Sequence, residues 1–225
     1  MTTAYDLANR LPGIEAVRDR ARALAILSAI FSPDRPPDER DDSYNCAWRP
    51  GEELASMNKG TGDEYKIIFS QHGALAFGLD HEIEMSPYGD RFEMWPGVID
   101  DVPAEFRNYL DEPEFQMDDL PLASVCLWRK HSDDRWQAGT IEFPREDPPY
   151  GSPDGSDWLF DRLIEPAENY HDWAKSFFGH PDLELEPVRA VFDLQPLTQQ
   201  LVAAVNPEVE LAALGKDITI IGYPV

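Results

Sequence analysis

The sequence predicts an α+β fold: an antiparallel sheet of at least four strands from two hairpins, packed with an N-terminal helix and a C-terminal helical region. Three observations carry that prediction. A helical stripe lies near the start, two β-prone hairpins occupy the middle, and helical spacing returns after residue 156 without β-α-β alternation. The chain reads as one domain over 1–225, with a helical arm (1–32), an acidic proline-rich linker (33–42), a sheet-rich part (43–150) and a helix-rich part (151–225).

Residues 12–31 form the clearest helix. Pro12 and Gly13 open it, and Ile14, Val17, Ala21, Leu24, Leu27 or Ser28, and Phe31 recur at helical spacing. Glu15, Arg18, Asp19 and Arg22 fall largely off that stripe, and the helix stops at Ser32 because a residue before proline avoids the α region. The next ten residues hold three prolines, five acids, two arginines and nothing apolar, so an exposed, mobile loop is expected over 33–42.

The first hairpin joins Tyr65–Phe69 to Ala74–Leu79 through a Ser70-Gln71-His72-Gly73 turn. The second joins Ser124–Arg129 to Trp136–Phe143 around the polar residues 130–134. Neither face of Ser124–Arg129 is purely polar, which predicts cover on both sides. Between the hairpins, Asp101 and Pro103 open a short helix through Leu110, and 144–156 is a second Pro/Gly/Asp loop. Helices are then expected at 157–164, 167–178, 186–194, 196–205 and 207–214, with Ile218–Ile221 returning as an edge strand.

Hydrophobic residues make up 42% of the 225 positions, enough to build a core despite the charge. Against 43 Asp+Glu stand only 19 Lys+Arg, a net charge of -24 that repels phosphate and so disfavours nucleic acid and anionic membranes. Acidity of this kind also serves solubility alone, and the preference for arginine over lysine fits a GC-rich genome or adaptation to salt. No secretory pattern or membrane-length apolar run stands out. The two cysteines, Cys46 and Cys126, lack metal spacing and read as reduced thiols, so a cytoplasmic location is expected.

The densest group of chemically capable residues is Asp80-His81-Glu82, with Glu84 following and His72 across the first turn. Imidazole with carboxylates suits a divalent cation that acidifies a bound water, which would make the centre a metal-assisted hydrolase. The spacing matches no established metal signature, neighbouring residues of an extended chain point apart, and a histidine among acids is common in so acidic a chain. A surface loop is the simpler reading, and no bound metal or cofactor is expected. Trp95, in a Trp-Pro-Gly corner after the acidic stretch around Asp90, suits a ligand platform or interface anchor, or else a lid folded over the sheet.

Other candidates have structural readings. His171 falls at the edge of an apolar helical stripe, where a satisfied boundary residue is expected, and no Ser or Cys elbow supports a catalytic triad. Gly60-Thr61-Gly62 lacks the lysine and the following helix of a phosphate loop. The pairs Asp100/Asp101, Asp118/Asp119 and Asp133/Asp134 fall in turns or helix starts. Size, acidity and expected location are similar in a general way to bacterial immunity proteins that neutralise toxins, a likeness of composition that assigns no residue. The leading expectation is a non-enzymatic, immunity- or inhibitor-like module for a basic protein partner, using loop 33–42, the 111–119 stretch and Trp95. The alternatives are the hydrolase and a mimic of DNA whose carboxylates imitate its phosphates.

Overall fold

The computed structural model describes residues 2–89, 92–144 and 151–225. The strands are β1 (Asp42–Arg49), β2 (Glu52–Asn58), β3 (Glu64–Ser70), β4 (Gly73–Leu79), β5 (Gln116–Met117), β6 (Leu120–Pro121), β7 (Val125–Lys130) and β8 (Gln137–Ala138). Six form one antiparallel sheet in the order β1-β2-β3-β4-β7-β8, and β5 with β6 make a small separate ladder. With helices before and after the sheet, the α+β class is the one the sequence predicts. Among the described residues no helix is long and apolar enough to cross a membrane.

Contacts divide the chain into two compact units, Met1–Ile14 with Asn58–Asp161, and Glu15–Met57 with Arg162–Val225. In the first, β4 is central. It pairs with β3 from Ser70↔Gly73 to Glu64↔Leu79, and with β7 from Gly73↔Lys130 to Gly78↔Val125. All seven of its residues are buried, as are Val125–Trp128 of β7, which meets the expectation of cover on both faces. Helix α1 (Ala4–Arg10) packs on β7 and β8, and α3 (Ala104–Leu110) buries Phe106, Tyr109 and Leu110.

The second hairpin is shorter than predicted. Of Trp136–Phe143 only Gln137–Ala138 joins the ladder. Other groups take the following amides: the Asp101 carboxylate accepts from Thr140 N, and the Tyr5 hydroxyl from Ile141 N. Asp101 therefore ties two loops together, and Pro103 stands at the N-cap of α3.

In the second unit, α2 (Ile14–Phe31) is the spine, with Val17, Ala21, Leu24, Leu27 and Phe31 of the expected stripe buried. Off that stripe, Arg18 and Arg22 reach Glu53 of β2, which also accepts from the Tyr44 hydroxyl. The β1–β2 hairpin was not foreseen in the sequence, although Pro50-Gly51 marks its turn. Helices α4 (Asp161–Ile164), α5 (Ala167–Phe177), α6 (Leu185–Phe192) and α7 (Gln199–Val205) follow, the last beginning where Thr198 caps Leu201 N. The expected helix over 207–214 narrows to a 3-10 turn at Leu211–Leu214.

Two expectations are corrected. Ile218–Ile221 is not an edge strand but part of α8 (Gly215–Ile221). Leu214, Asp217 and Ile221 are buried at helical spacing, and Gly222 closes the helix at φ 67, a left-handed cap that overrides the β preference of the isoleucines. Nor is 33–42 wholly exposed. Residues 33–39 are, but Arg40 is buried in a salt bridge to Asp217, and Asp42 is buried as the first residue of β1 against Arg162. Composition marked both as solvated, and their partners lie far along the chain. Of the expected loop 144–156, residues 145–150 lie outside the described residues.

Candidate functional site

The candidate site belongs to the first unit, and hairpin register builds its floor. The last β3–β4 pair is Glu64↔Leu79, so the next residues outward, Asp63 and Asp80, face each other across the two strand ends. His81 follows at once. Its backbone N–H and ring Nδ1 both donate to Asp63 Oδ1, at 3.1 and 2.7 Å, while the Thr61 hydroxyl donates to Asp63 Oδ2 at 3.0 Å. The chain turns there, so Asp80 and His81 do converge. Ligand atoms of Asp63, Asp80 and His81 lie within 4.8 Å of one another.

The pair tunes itself. The hydrogen bond from His81 to Asp63, reinforced by the negative charge, raises the imidazole above its ordinary 6.5 against a smaller effect of desolvation. Partial burial pulls Asp63 upward, and the bonds from His81 and Thr61 together outweigh it and hold the carboxyl below 3.8.

Asp80 is buried and oriented from several sides. Trp158 Nε1 donates to its Oδ2 at 2.9 Å and Glu82 N to its Oδ1 at 3.2 Å, while its own amide donates to Ser124 Oγ. Lys59 Nζ lies 3.8 Å from the centroid of a Trp158 ring, a cation–π contact. Gly155, at φ 80, passes so near that an added Cβ would stand 2.8 Å from Asp80 Cβ. Behind it, buried Asp154 accepts from Ala4 N, the Ser152 hydroxyl and Ser156 N. Asp157 is raised above 3.8, chiefly by burial and then by the charges of Asp154 and Asp80.

Above this floor runs a groove of about 440 Å³. His81, Glu82, Glu84, Glu93, Trp95 and Pro96 contribute to its walls. Trp95 is half-buried, and its indole N–H donates to Glu142 O at 2.8 Å, so it serves as a pinned wall. Glu82, Glu84 and Glu93 are exposed. An indole beside several carboxylates is chemistry for a cation.

Of the residues singled out in the sequence, the structure gathers Trp95, His81 and Glu82 in one groove, with Asp80 attached through His81 and the Glu82 amide. It does not gather His72, which precedes β4 whereas His81 follows it. A seven-residue strand, about 20 Å, separates them. Asp63 was missed, though counting outward from the Ser70–Gly73 turn reaches it. Asp90 lies outside the described residues.

The remaining candidates hold structural places. His171 lies between Asp172 Oδ1 and Leu183 O, both at 2.9 Å, as a satisfied boundary residue. Asp100 accepts from Gly97 N, Asp133 from Lys130 N, and Asp118 and Asp119 form the β5–β6 turn. Cys46 and Cys126 are both free, and burial pushes the Cys126 thiol far above its ordinary range. The chain matches no protein-family model, no curated protein and no solved structure.

Proposed function

We propose that this chain is a non-enzymatic binding module that holds a basic segment of a protein partner in the groove walled by His81, Glu82, Glu84, Glu93 and Trp95. The observation that carries this reading is the meeting of three exposed carboxylates and a pinned indole along one groove. Lysine or arginine gains Coulomb attraction from the first and a ring face from the second. The net charge of -24 adds a long-range field that speeds the approach of a basic partner and weakens as salt rises.

The test is binding of a short oligo-arginine peptide, followed by fluorescence anisotropy at low and high salt. Replacing Glu82, Glu84 and Glu93 by glutamine weakens binding about tenfold, roughly 0.5 kcal/mol for each rim charge. Neutralising three exposed acids of the other unit, Glu184, Glu208 and Glu210, is the control for net charge. Equal losses in the two variants overturn the groove and leave only bulk attraction.

A second reading, metal-assisted hydrolysis, rests on the approach of Asp63, Asp80 and His81 ligand atoms to within 4.8 Å. A divalent cation bound there would displace the His81–Asp63 hydrogen bond and acidify a water. Calorimetric titration with Zn²⁺ and Mn²⁺ tests it: stoichiometric binding abolished by Asp63→Asn supports it, and weak binding indifferent to that change refutes it.

A further inference from the structure

Beside the groove stand two of the protein's exposed large apolar side chains, Phe92 (49% exposed) and Met117 (48%). Tyr88 links them. Its ring meets that of Phe92 edge-on at 5.9 Å, and its hydroxyl donates to Met117 O and Leu120 O, at 3.2 and 2.8 Å. Tyr88 therefore brings the three residues together, its ring against Phe92 and its hydroxyl at the Met117 backbone, so that their exposed side chains form one patch around it. Phe92 follows the groove residue Gly89 closely in sequence and directly precedes Glu93, so patch and groove are continuous.

The backbone under the patch is held in an unfavourable region. Phe92 sits at φ 49, and Asp118 and Asp119 at φ 50 and 65, three side-chain-bearing residues in left-handed conformation. Aspartate accommodates it in a two-residue hairpin turn, whereas at Phe92 it costs on the order of 1 kcal/mol and accompanies a ring left half in solvent. The borders are acidic: Asp118, Asp119, Glu93 and Glu84 are all exposed.

We infer that this patch is the apolar anchor of the binding groove, and that its occupant is a cationic protein segment carrying a bulky apolar residue close to its lysines or arginines. Charge selects the occupant. A purely apolar partner takes exposed carboxylates such as Glu84, Asp118 and Asp119 out of water without a counter-charge, whereas a purely cationic one leaves Phe92 and Met117 in water. A segment combining both satisfies the two together, with the aromatic and methionine side chains as the central contact and the acids as its rim.

This inference rests on the groove reading, and the experiment separates their failures. Two peptides of equal length and charge are compared by anisotropy, one of arginine and glycine, the other with leucines replacing glycines. Wild-type protein binds the leucine peptide about tenfold more tightly, the effect of burying one bulky side chain. The variant Phe92→Asn/Met117→Gln abolishes that preference while still binding the glycine peptide as wild type does. Asparagine tolerates the left-handed backbone at position 92, and circular dichroism confirms the fold. Equal affinity of wild type for the two peptides overturns the anchor and leaves the groove standing, as does a preference that survives the double variant. Failure of both peptides to bind overturns anchor and groove together.

Discussion

The two units bury their aspartates differently. In the second, Asp42 lies 2.6 Å from Arg162 Nη1 and Asp217 lies 2.5 Å from Arg40 Nη1, so each carboxylate meets a guanidinium. In the first, Asp80 and Asp154 are buried as well, but among the described residues their donors are an indole N–H, a serine hydroxyl and backbone amides. Neutral donors satisfy a carboxylate's lone pairs and leave its charge in place. Arginine partners cancel the charge and fix two distant segments to each other. One unit thus uses acid as mortar. The other holds its buried acid with neutral donors, among the described residues, under a groove whose rim is itself acidic, and the proposed binding reading attaches to that unit.

Breaking the mortar has the largest expected effect. Arg40→Met strands the Asp217 carboxylate in a buried site and lowers the unfolding free energy by about 3–5 kcal/mol in urea titrations. Arg40→Met with Asp217→Leu recovers most of that loss, because an apolar pair of similar volume needs no counter-charge. A small loss from Arg40→Met alone contradicts the role given to the pair. In the other unit, Asp154→Ala leaves the Ala4 amide without its acceptor and removes one of the partners of the Ser156 amide and the Ser152 hydroxyl. The expected cost is smaller, about 2–3 kcal/mol by the same titration, since no buried charge is stranded.

The smallest effect, and the sharpest in assignment, is the titration of His81. Its pKa is raised in the folded protein, so the Asp63 bond stabilises fully below the ordinary 6.5 and is lost as pH rises through the higher folded value. Asp63→Asn brings the imidazole back toward 6.5, followed by its ring proton shifts in NMR. It also flattens the stability profile above pH 6.5 by under about 1 kcal/mol, because the side chain is exposed. An unmoved His81 titration shows that Asp63 is not its partner in solution.

Much of this was legible from local rules. The apolar period of 14–31 and the run 74–79 required burial on a helix stripe and on both faces of a strand. The Asp80-His81-Glu82 cluster and Trp95 were visible as the residues with chemistry to offer. Less legible was how they combine. Asp63 shares no motif with Asp80, and only the pairing that begins at Ser70–Gly73 sets them face to face. His72 sits as near to the cluster in sequence as its partners do, yet the length of β4 keeps it away. The β1–β2 hairpin escaped because its strands alternate imperfectly and bury few apolar side chains.

What the sequence determined by itself, then, was the class of fold, most of its helices, the strands and turn of the first hairpin, and the net charge of -24. These follow from periodicity, turn chemistry and composition, which act between near neighbours or over the whole chain. What the tertiary structure decided was which charges are cancelled. Arg40, a solvated linker residue by composition, and Asp217, just before the expected edge strand and 177 positions away, become a buried pair. Trp158 and Asp80, 78 apart, become donor and acceptor under the groove. Coulomb energy and hydrogen bonding depend on distance in space, and distance along the chain carries almost no trace of it.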